Sequence, residues 1–342
     1  MNSRVQQKLN FRLRSNENLF GPSPAVLEII KENSRGYNLY PGPLPEALYQ
    51  KVALMHRVES KEVVFGAGSV QIIDILIWHF CEADDNVIFP DGSFVAYRLL
   101  SEFHKRNHKI IPTIQFQWDA AGILKAIDNK SKLIFIANPN NPTGSMISHD
   151  AFENFMDKVP DNVLVVLDEA YAEYVKDPDY PDSSILFKKY PNLIILRTFS
   201  KIYGLAACRL GYAIAREDIA KQIDQHRLPF AISELSGRAA MAALDDQRYV
   251  KECARINAEE RGYLYREIRE LGYHVLPSQS NFLYLYFKTP KTKEALRLHL
   301  LDRGIVARDI TPFGHPNGLR FSTWHHEASL KVLKAITSFK GR

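Results

Sequence analysis

The sequence predicts an α/β fold, with a large domain built on a mostly parallel sheet between helices and a smaller α+β domain after it. Three observations carry that expectation. Short β-branched or apolar runs without polar alternation recur at residues 63–65, 87–89, 132–136, 163–167, 192–196 and 210–214, as strands buried on both faces require. Segments with helical spacing, such as residues 93–104 and 149–158, separate most of them, the rhythm of a parallel sheet joined by crossover helices. Beyond Ser236 the pattern changes to long helices reaching Glu270, then strands near residues 281–287 and 319–322 and a closing helix over 326–339.

In chain order, a polar arm leads to a Gly21-Pro22-Ser23-Pro24 turn and a helix over residues 25–32, and Tyr40-Pro41-Gly42-Pro43 breaks the chain before the alternation starts. The arm and the start of the small domain take residues 1–35, the large domain 36–235 and the small domain 236–342. No repeat, low-complexity tract or Gly/Ser linker intervenes, so the two domains are expected to pack along a continuous helix, with the functional site in the cleft between them.

Composition narrows the function. The chain has 342 residues, 46% hydrophobic and 24% charged, enough for one large and one smaller core. Its net charge of +5 is spread along the sequence, with no basic run carrying interleaved aromatics, which argues against nucleic acid as a partner. Cys81, Cys208 and Cys253 have neither disulfide-framework nor zinc spacing, and a reducing, cytoplasmic location is expected. The opening segment lacks an apolar signal region, and the most apolar helix, residues 72–80, is too short to cross a bilayer, so no membrane association is expected. Without an HExxH motif or a Cys/His set, no metal site is expected.

In sheets of this type ligands gather beyond the carboxyl ends of the strands. Asp168 directly follows the apolar run 163–167, and a carboxylate there needs a cationic partner. Asn138-Pro139-Asn140-Asn141-Pro142-Thr143-Gly144 follows the strand ending near Ala137 and forms a tight turn, which either aims an amide inward or is only a turn. Gly66-Ala67-Gly68-Ser69-Val70 joins a strand to a helix starting near Gln71, where bare N–H groups and the positive helix end favour phosphate. Thr198-Phe199-Ser200-Lys201 follows another strand, with Arg209-Leu210-Gly211 soon after. Each segment alone has an ordinary reading, since most lysines are solvated and glycines open many βα turns. Their joint order is specific.

Together these segments resemble the aspartate aminotransferase superfamily, the pyridoxal 5'-phosphate (PLP) enzymes of fold type I. Asn16-Glu17-Asn18, the Gly-Pro-Ser-Pro turn and Tyr40-Pro41 resemble the opening of the histidinol-phosphate aminotransferase group. The loop ending in Ser69-Val70, with Ser93-Phe94-Val95-Ala96-Tyr97 downstream, is also similar to aromatic-amino-acid aminotransferases. A lyase resembling threonine-phosphate decarboxylase and a non-catalytic sensor are the readings of another class.

The resemblance implies that Lys201 forms the Schiff base with PLP and carries the substrate proton, and that Asp168 pairs with the pyridine nitrogen. It implies that Asn141 and Tyr171 bind the cofactor's phenolic oxygen and that Phe94 stacks on its ring, although core packing would explain Phe94 equally well. The cofactor phosphate falls to Gly68, Ser69, Val70, Thr198, Ser200 and Arg209, and to Tyr40 from a neighbouring subunit, which implies a homodimer. Arg320 is expected on the substrate carboxylate, Arg308 on a second anion and Asn18 on the substrate side. Glutamate as amino donor and an oxo acceptor, with ping-pong kinetics, complete the expectation for an enzyme of histidine biosynthesis. After Arg320, Trp324-His325-His326 is read as a capped helix start.

Overall fold

The apolar runs assemble into one sheet. The computed structural model describes residues 11–36 and 38–340, so the first ten residues of the arm lie outside the described residues. A short strand β1 (Phe11–Arg12) comes first, followed by β2 (Val63–Gly66), β3 (Asn86–Pro90), β4 (Asn107–Ile111), β5 (Ser131–Ala137), β6 (Leu164–Asp168), β7 (Leu193–Thr198) and β8 (Gly211–Ile214). Strands β2 to β8 form a seven-stranded sheet in the order β2-β8-β7-β6-β5-β3-β4. Strands β3 to β7 are mutually parallel, and β8 runs antiparallel to β2 and β7. Successive residues of a strand point to opposite faces, and here both faces are apolar. Val165, Leu167 and Ile195 enter one core, while Val166, Ile194 and Leu196 enter the other. That is why the runs show no alternation.

The later strands are β9 (His274–Val275), β10 (Phe282–Tyr286), β11 (Ile305–Val306), β12 (Arg308–Asp309) and β13 (Gly318–Ser322), and all but β11 join in a second sheet. Its order is β12-β13-β10-β9, antiparallel throughout, over a separate apolar core containing Leu283, Leu296, Leu319 and Ile336. Strand β1 pairs with β11, so the N-terminal segment packs with the C-terminal sheet.

Four local expectations change. Edge strand β4, Asn-His-Lys-Ile-Ile, has no apolar run because one edge and much of its surface meet solvent, and the sequence pattern misses it. The helix expected over residues 93–104 begins only at Ala96 and runs Ala96–Phe103, leaving Ser93 and Phe94 in the preceding loop. The helix expected from Gln71 starts two residues earlier, at Ser69. The continuous helix is two helices, Glu234–Asp245 and Gln247–Glu270, broken at Asp246, whose carboxylate accepts from Tyr249 N at 3.2 Å and caps the second. His325 does cap the closing helix His326–Thr337, its ring nitrogen accepting from Ala328 N at 3.2 Å. Among the described residues no helix is long and apolar enough to cross a membrane.

Candidate active site

The carboxyl ends of β5, β6 and β7 open onto a cleft of about 810 Å³, counting its mouth. Asp168 is the last residue of β6, held in register between Ala137 of β5 and Leu196 of β7. It is 4% exposed, and its Oδ2 accepts from the Tyr97 hydroxyl at 2.7 Å while Oδ1 accepts from Ala170 N at 3.3 Å. Burial pushes its carboxyl up to about 6, against the pull of the Tyr97 hydrogen bond and the Lys201 charge. With only neutral donors bonded to it, this carboxylate calls for a cation.

Lys201 faces the same cleft, its Nζ donating to Ser15 O at 3.1 Å and lying 5.6 Å from the centre of the Tyr171 ring. The Tyr171 hydroxyl accepts from Asn16 Nδ2 at 3.0 Å, which leaves its own proton to donate. Asn141 accepts on Oδ1 from Arg320 Nη1, and among the described residues its Nδ2 has no protein partner. Both side chains therefore present donors to the cleft. Phe94 lines the wall and meets Tyr97 edge-on at 5.6 Å.

At one end of the cleft, the helix Ser69–Phe80 starts on Gly68 with no side chain capping its first N–H groups. Gly68 has φ +77°, and a Cβ there would sit 2.3 Å from Arg209 Nη2, so glycine makes room for the guanidinium. Arg209 donates from Nη1 to Ser200 Oγ at 3.3 Å and to Ala206 O at 2.9 Å, and no carboxylate among the described residues pairs with it. Ser69, Val70, Thr198 and Ser200 complete this end. An uncapped helix terminus, three hydroxyls and an arginine with no carboxylate partner among the described residues form an anion cradle.

The second sheet supplies Arg320, on β13 and 3% exposed. Nη2 donates to Arg14 O at 3.0 Å, the face lies 5.1 Å from the Phe282 ring and 5.7 Å from the Phe313 ring, and Nε has no partner. Burial lowers its pKa to about 10, which leaves it cationic at neutral pH. Arg308 stands directly across from it in the β12–β13 register, 5.8 Å from the same Phe313 ring. Among the described residues neither arginine has a carboxylate partner.

Of the expected residues, Gly68, Arg320, Arg308, Asn18 and Tyr40 are not among those lining the cleft; Gly68 precedes the lining residue Ser69, Arg320 bonds to the lining residue Asn141, and Arg308 lies across the strand pair from Arg320. Asn18 does not line the cleft and is corrected to a structural clamp: Nδ2 donates to Ile202 O at 2.7 Å and Oδ1 accepts from Phe20 N at 3.1 Å, fixing the loop beneath Lys201. Tyr40 is 84% exposed and lies outside the cleft, its ring 5.0 Å from Phe230. The sequence reading assigned no role to Tyr97, Ser15, Glu17, Asn16 or Ala206. Only Tyr97 left a signal, a second aromatic three residues after Phe94 in a chain entering a helix. Ser15 and Ala206 work through their backbone carbonyls, whereas Asn16 works through its side-chain amide on the Tyr171 hydroxyl, from a backbone at φ +56°.

The residues present fit PLP. The cradle suits its phosphate, Asp168 suits a protonated ring nitrogen, and the Lys201 amine suits its aldehyde.

The family model for class I and II aminotransferases matches residues 10–336. A histidinol-phosphate aminotransferase from a Geobacillus species is 37% identical over 326 residues, covering 95% of this chain and 89% of that one. Another, from Carboxydothermus hydrogenoformans, is 39% identical over 310 residues, 90% and 85% of the two chains. Among solved structures, histidinol-phosphate aminotransferase from Sinorhizobium meliloti in complex with pyridoxal-5'-phosphate superposes with a TM-score of 0.89 at 29% identity, covering 98% of this chain and 92% of that one.

Proposed function

The chain belongs to the class I and II aminotransferases and is a PLP-dependent aminotransferase; from that premise we propose that it exchanges an amino group reversibly between histidinol phosphate and 2-oxoglutarate, with glutamate the donor in the biosynthetic direction. We place it in the cytoplasm as a homodimer. One observation carries the substrate reading: Arg320 and Arg308 share the Phe313 ring, and among the described residues neither has a carboxylate partner. Two such cations suit substrates with a strong anion, a phosphate in one half-reaction and a dicarboxylate in the other. An aromatic amino acid offers only one carboxylate. The relatives at 37% and 39% identity point to the same substrate.

Bound PLP supplies an aldehyde that captures the amine and a ring that accepts the electron pair released at Cα. The chain's residues do the rest. The Lys201 amine would anchor the cofactor and, once displaced, would carry the proton from the donor's Cα to the cofactor's former aldehyde carbon, and the reverse way for the acceptor. Asp168 would hold the ring nitrogen protonated, Asn141 Nδ2 and the Tyr171 hydroxyl would donate to the phenolic oxygen, and Phe94 would bound the ring's side of the cleft. The cradle at Gly68, Ser69, Val70, Thr198, Ser200 and Arg209 holds the phosphate, and Arg320 orients the substrate anion. Tyr40 and its exposed apolar neighbours Leu39, Leu228 and Phe230 form the surface offered to the second subunit, where Tyr40 reaches the partner's cradle.

The test is a competition of amino donors. Purified enzyme loaded with PLP is given 2-oxoglutarate with histidinol phosphate, phenylalanine or tyrosine, and glutamate is measured. A kcat/KM for histidinol phosphate about 100-fold above the aromatic donors is expected, the discrimination that an unmatched charged site imposes, and Arg308→Gln should narrow it. Aromatic donors outrunning histidinol phosphate would overturn the substrate reading. Loss of carbon dioxide from a phosphorylated amino acid without glutamate would overturn transfer itself.

A further inference from the structure

Tyr97 has no role in the mechanism given above, yet its surroundings single out its hydroxyl. The residue is completely buried. Its ring stacks on Phe135 at 4.7 Å and 14°, and meets Phe94 edge-on and Phe89 at 6.1 Å. Phenylalanine would serve every one of these contacts. Among the described residues the hydroxyl makes one hydrogen bond, to Asp168 Oδ2 at 2.7 Å.

We propose that Tyr97 is a positioning residue for amino transfer: its hydroxyl holds the Asp168 carboxylate in one orientation as an anion, and through it fixes the proton on the cofactor's ring nitrogen. The inference rests on Asp168 being the partner of that nitrogen.

Burial raises the Tyr97 phenol well above its ordinary range, so the group stays protonated and can only donate to the carboxylate. A hydrogen bond to the charged form favours that form, and here it opposes the burial that drives Asp168 toward neutrality. The other ionisable groups facing this pair are Glu169, Lys201 and Tyr171. The Glu169 charge is already matched by Arg197 at 2.8 Å, and Lys201 becomes committed when it binds the cofactor. The Tyr97 hydroxyl is then the permanent donor to Asp168 Oδ2. Its position is fixed by the stacked ring and by the backbone, where Tyr97 N donates to Phe94 O at 3.1 Å and Tyr97 O accepts from Ser101 Oγ at 2.7 Å.

The experiment compares wild type, Tyr97→Phe and Phe135→Leu, each loaded with PLP carrying ¹⁵N in the ring. The ring-nitrogen chemical shift is followed with pH, beside steady-state kinetics. Tyr97→Phe should move the nitrogen toward its deprotonated shift at a lower pH than wild type and reduce kcat about 10-fold to 100-fold with little change in KM, the range for losing a hydrogen bond to a charged group. Phe135→Leu, which loosens the ring but keeps the hydroxyl, should leave the nitrogen shift where it was. If Tyr97→Phe does not fold, a ring-fluorinated tyrosine at position 97, a stronger donor of nearly the same shape, should extend the protonated range to higher pH. An unchanged nitrogen titration in the folded Tyr97→Phe enzyme, or in the fluorinated one, overturns the inference. Failure of the underlying reading looks different: wild type itself would show no protonated ring nitrogen.

Discussion

Asp168 and Glu169 are consecutive, both are buried carboxylates, and the chain treats them in opposite ways. Glu169 accepts from Arg197 Nε at 2.9 Å and from Ser183 Oγ at 2.9 Å, pairs with Arg197 Nη2 at 2.8 Å, and lies within 2.9 Å of the Tyr180 hydroxyl. Glu173 completes the cluster at 3.2 Å from Arg197 Nη1. Asp168 has two neutral donors and no bonded cation. The alternation of a strand sends the two side chains in different directions as the chain leaves β6. One reaches a cluster in which its charge is matched, the other a cleft in which it is not. The same contrast separates Arg197 from Arg320, which has no carboxylate partner among the described residues. In a folded interior an unmatched charge is costly. Here the unmatched ones gather where a charged cofactor and substrate would supply the missing partners.

Breaking the comparison at its functional side gives the largest effect. Lys201→Ala should lower transfer by a thousandfold or more, roughly the upper range of acid–base catalysis, and remove the visible absorbance of covalently held PLP while leaving the unfolding midpoint nearly unchanged. Retention of that absorbance would show that another amine holds the cofactor.

On the structural side, Glu169→Gln should destabilise the protein by about 3 kcal/mol in urea unfolding, because Arg197 is left short of a buried partner, while the cofactor's ring nitrogen keeps its proton. Asp168→Asn should do the reverse. In the cofactor-free protein at pH 7 it should stabilise by about 3 kcal/mol, since a carboxyl raised from 3.8 to about 6 costs stability once ionised, yet turnover should collapse. If both variants lost stability equally, the distinction between matched and unmatched carboxylates would be wrong.

The smallest effect concerns a third buried group. His56 Nε2 lies 2.9 Å from the Tyr212 hydroxyl, and burial, reinforced by the Arg197 charge, lowers its pKa to about 3. The unfolded chain takes up the proton first as pH falls below about 6.5, so the native state loses stability between about 6.5 and 3. Roughly 1 kcal/mol over the first pH unit is expected, and His56→Phe should flatten that slope in urea titrations.

Much of this was legible in the sequence for a physical reason. Strands buried on both faces must be apolar throughout, which exposed β2, β3, β5, β6, β7 and β8. Edge strand β4 is released from that demand and left no mark. In the cleft, charged side chains at the strand ends or on the loops beyond them, such as Asp168, Lys201 and Arg209, stood out by type and position. Those that act through the backbone, such as Ser15 O beneath Lys201, could not. Asn18 shows the converse error. A polar residue near a site motif was taken for a ligand contact, whereas its amide is spent on Ile202 O and Phe20 N. Tyr97 sits between these cases, an aromatic whose packing is ordinary and whose single oxygen is not.

The stretch following β1 has a practical consequence. Arg14 O receives Arg320, Ser15 O receives Lys201 and Asn16 reaches Tyr171, so a few residues near the start of the chain tie together parts that are far apart in sequence. A protease nick within that stretch would therefore reach the cleft directly, and a partly nicked preparation would contain molecules of unequal activity.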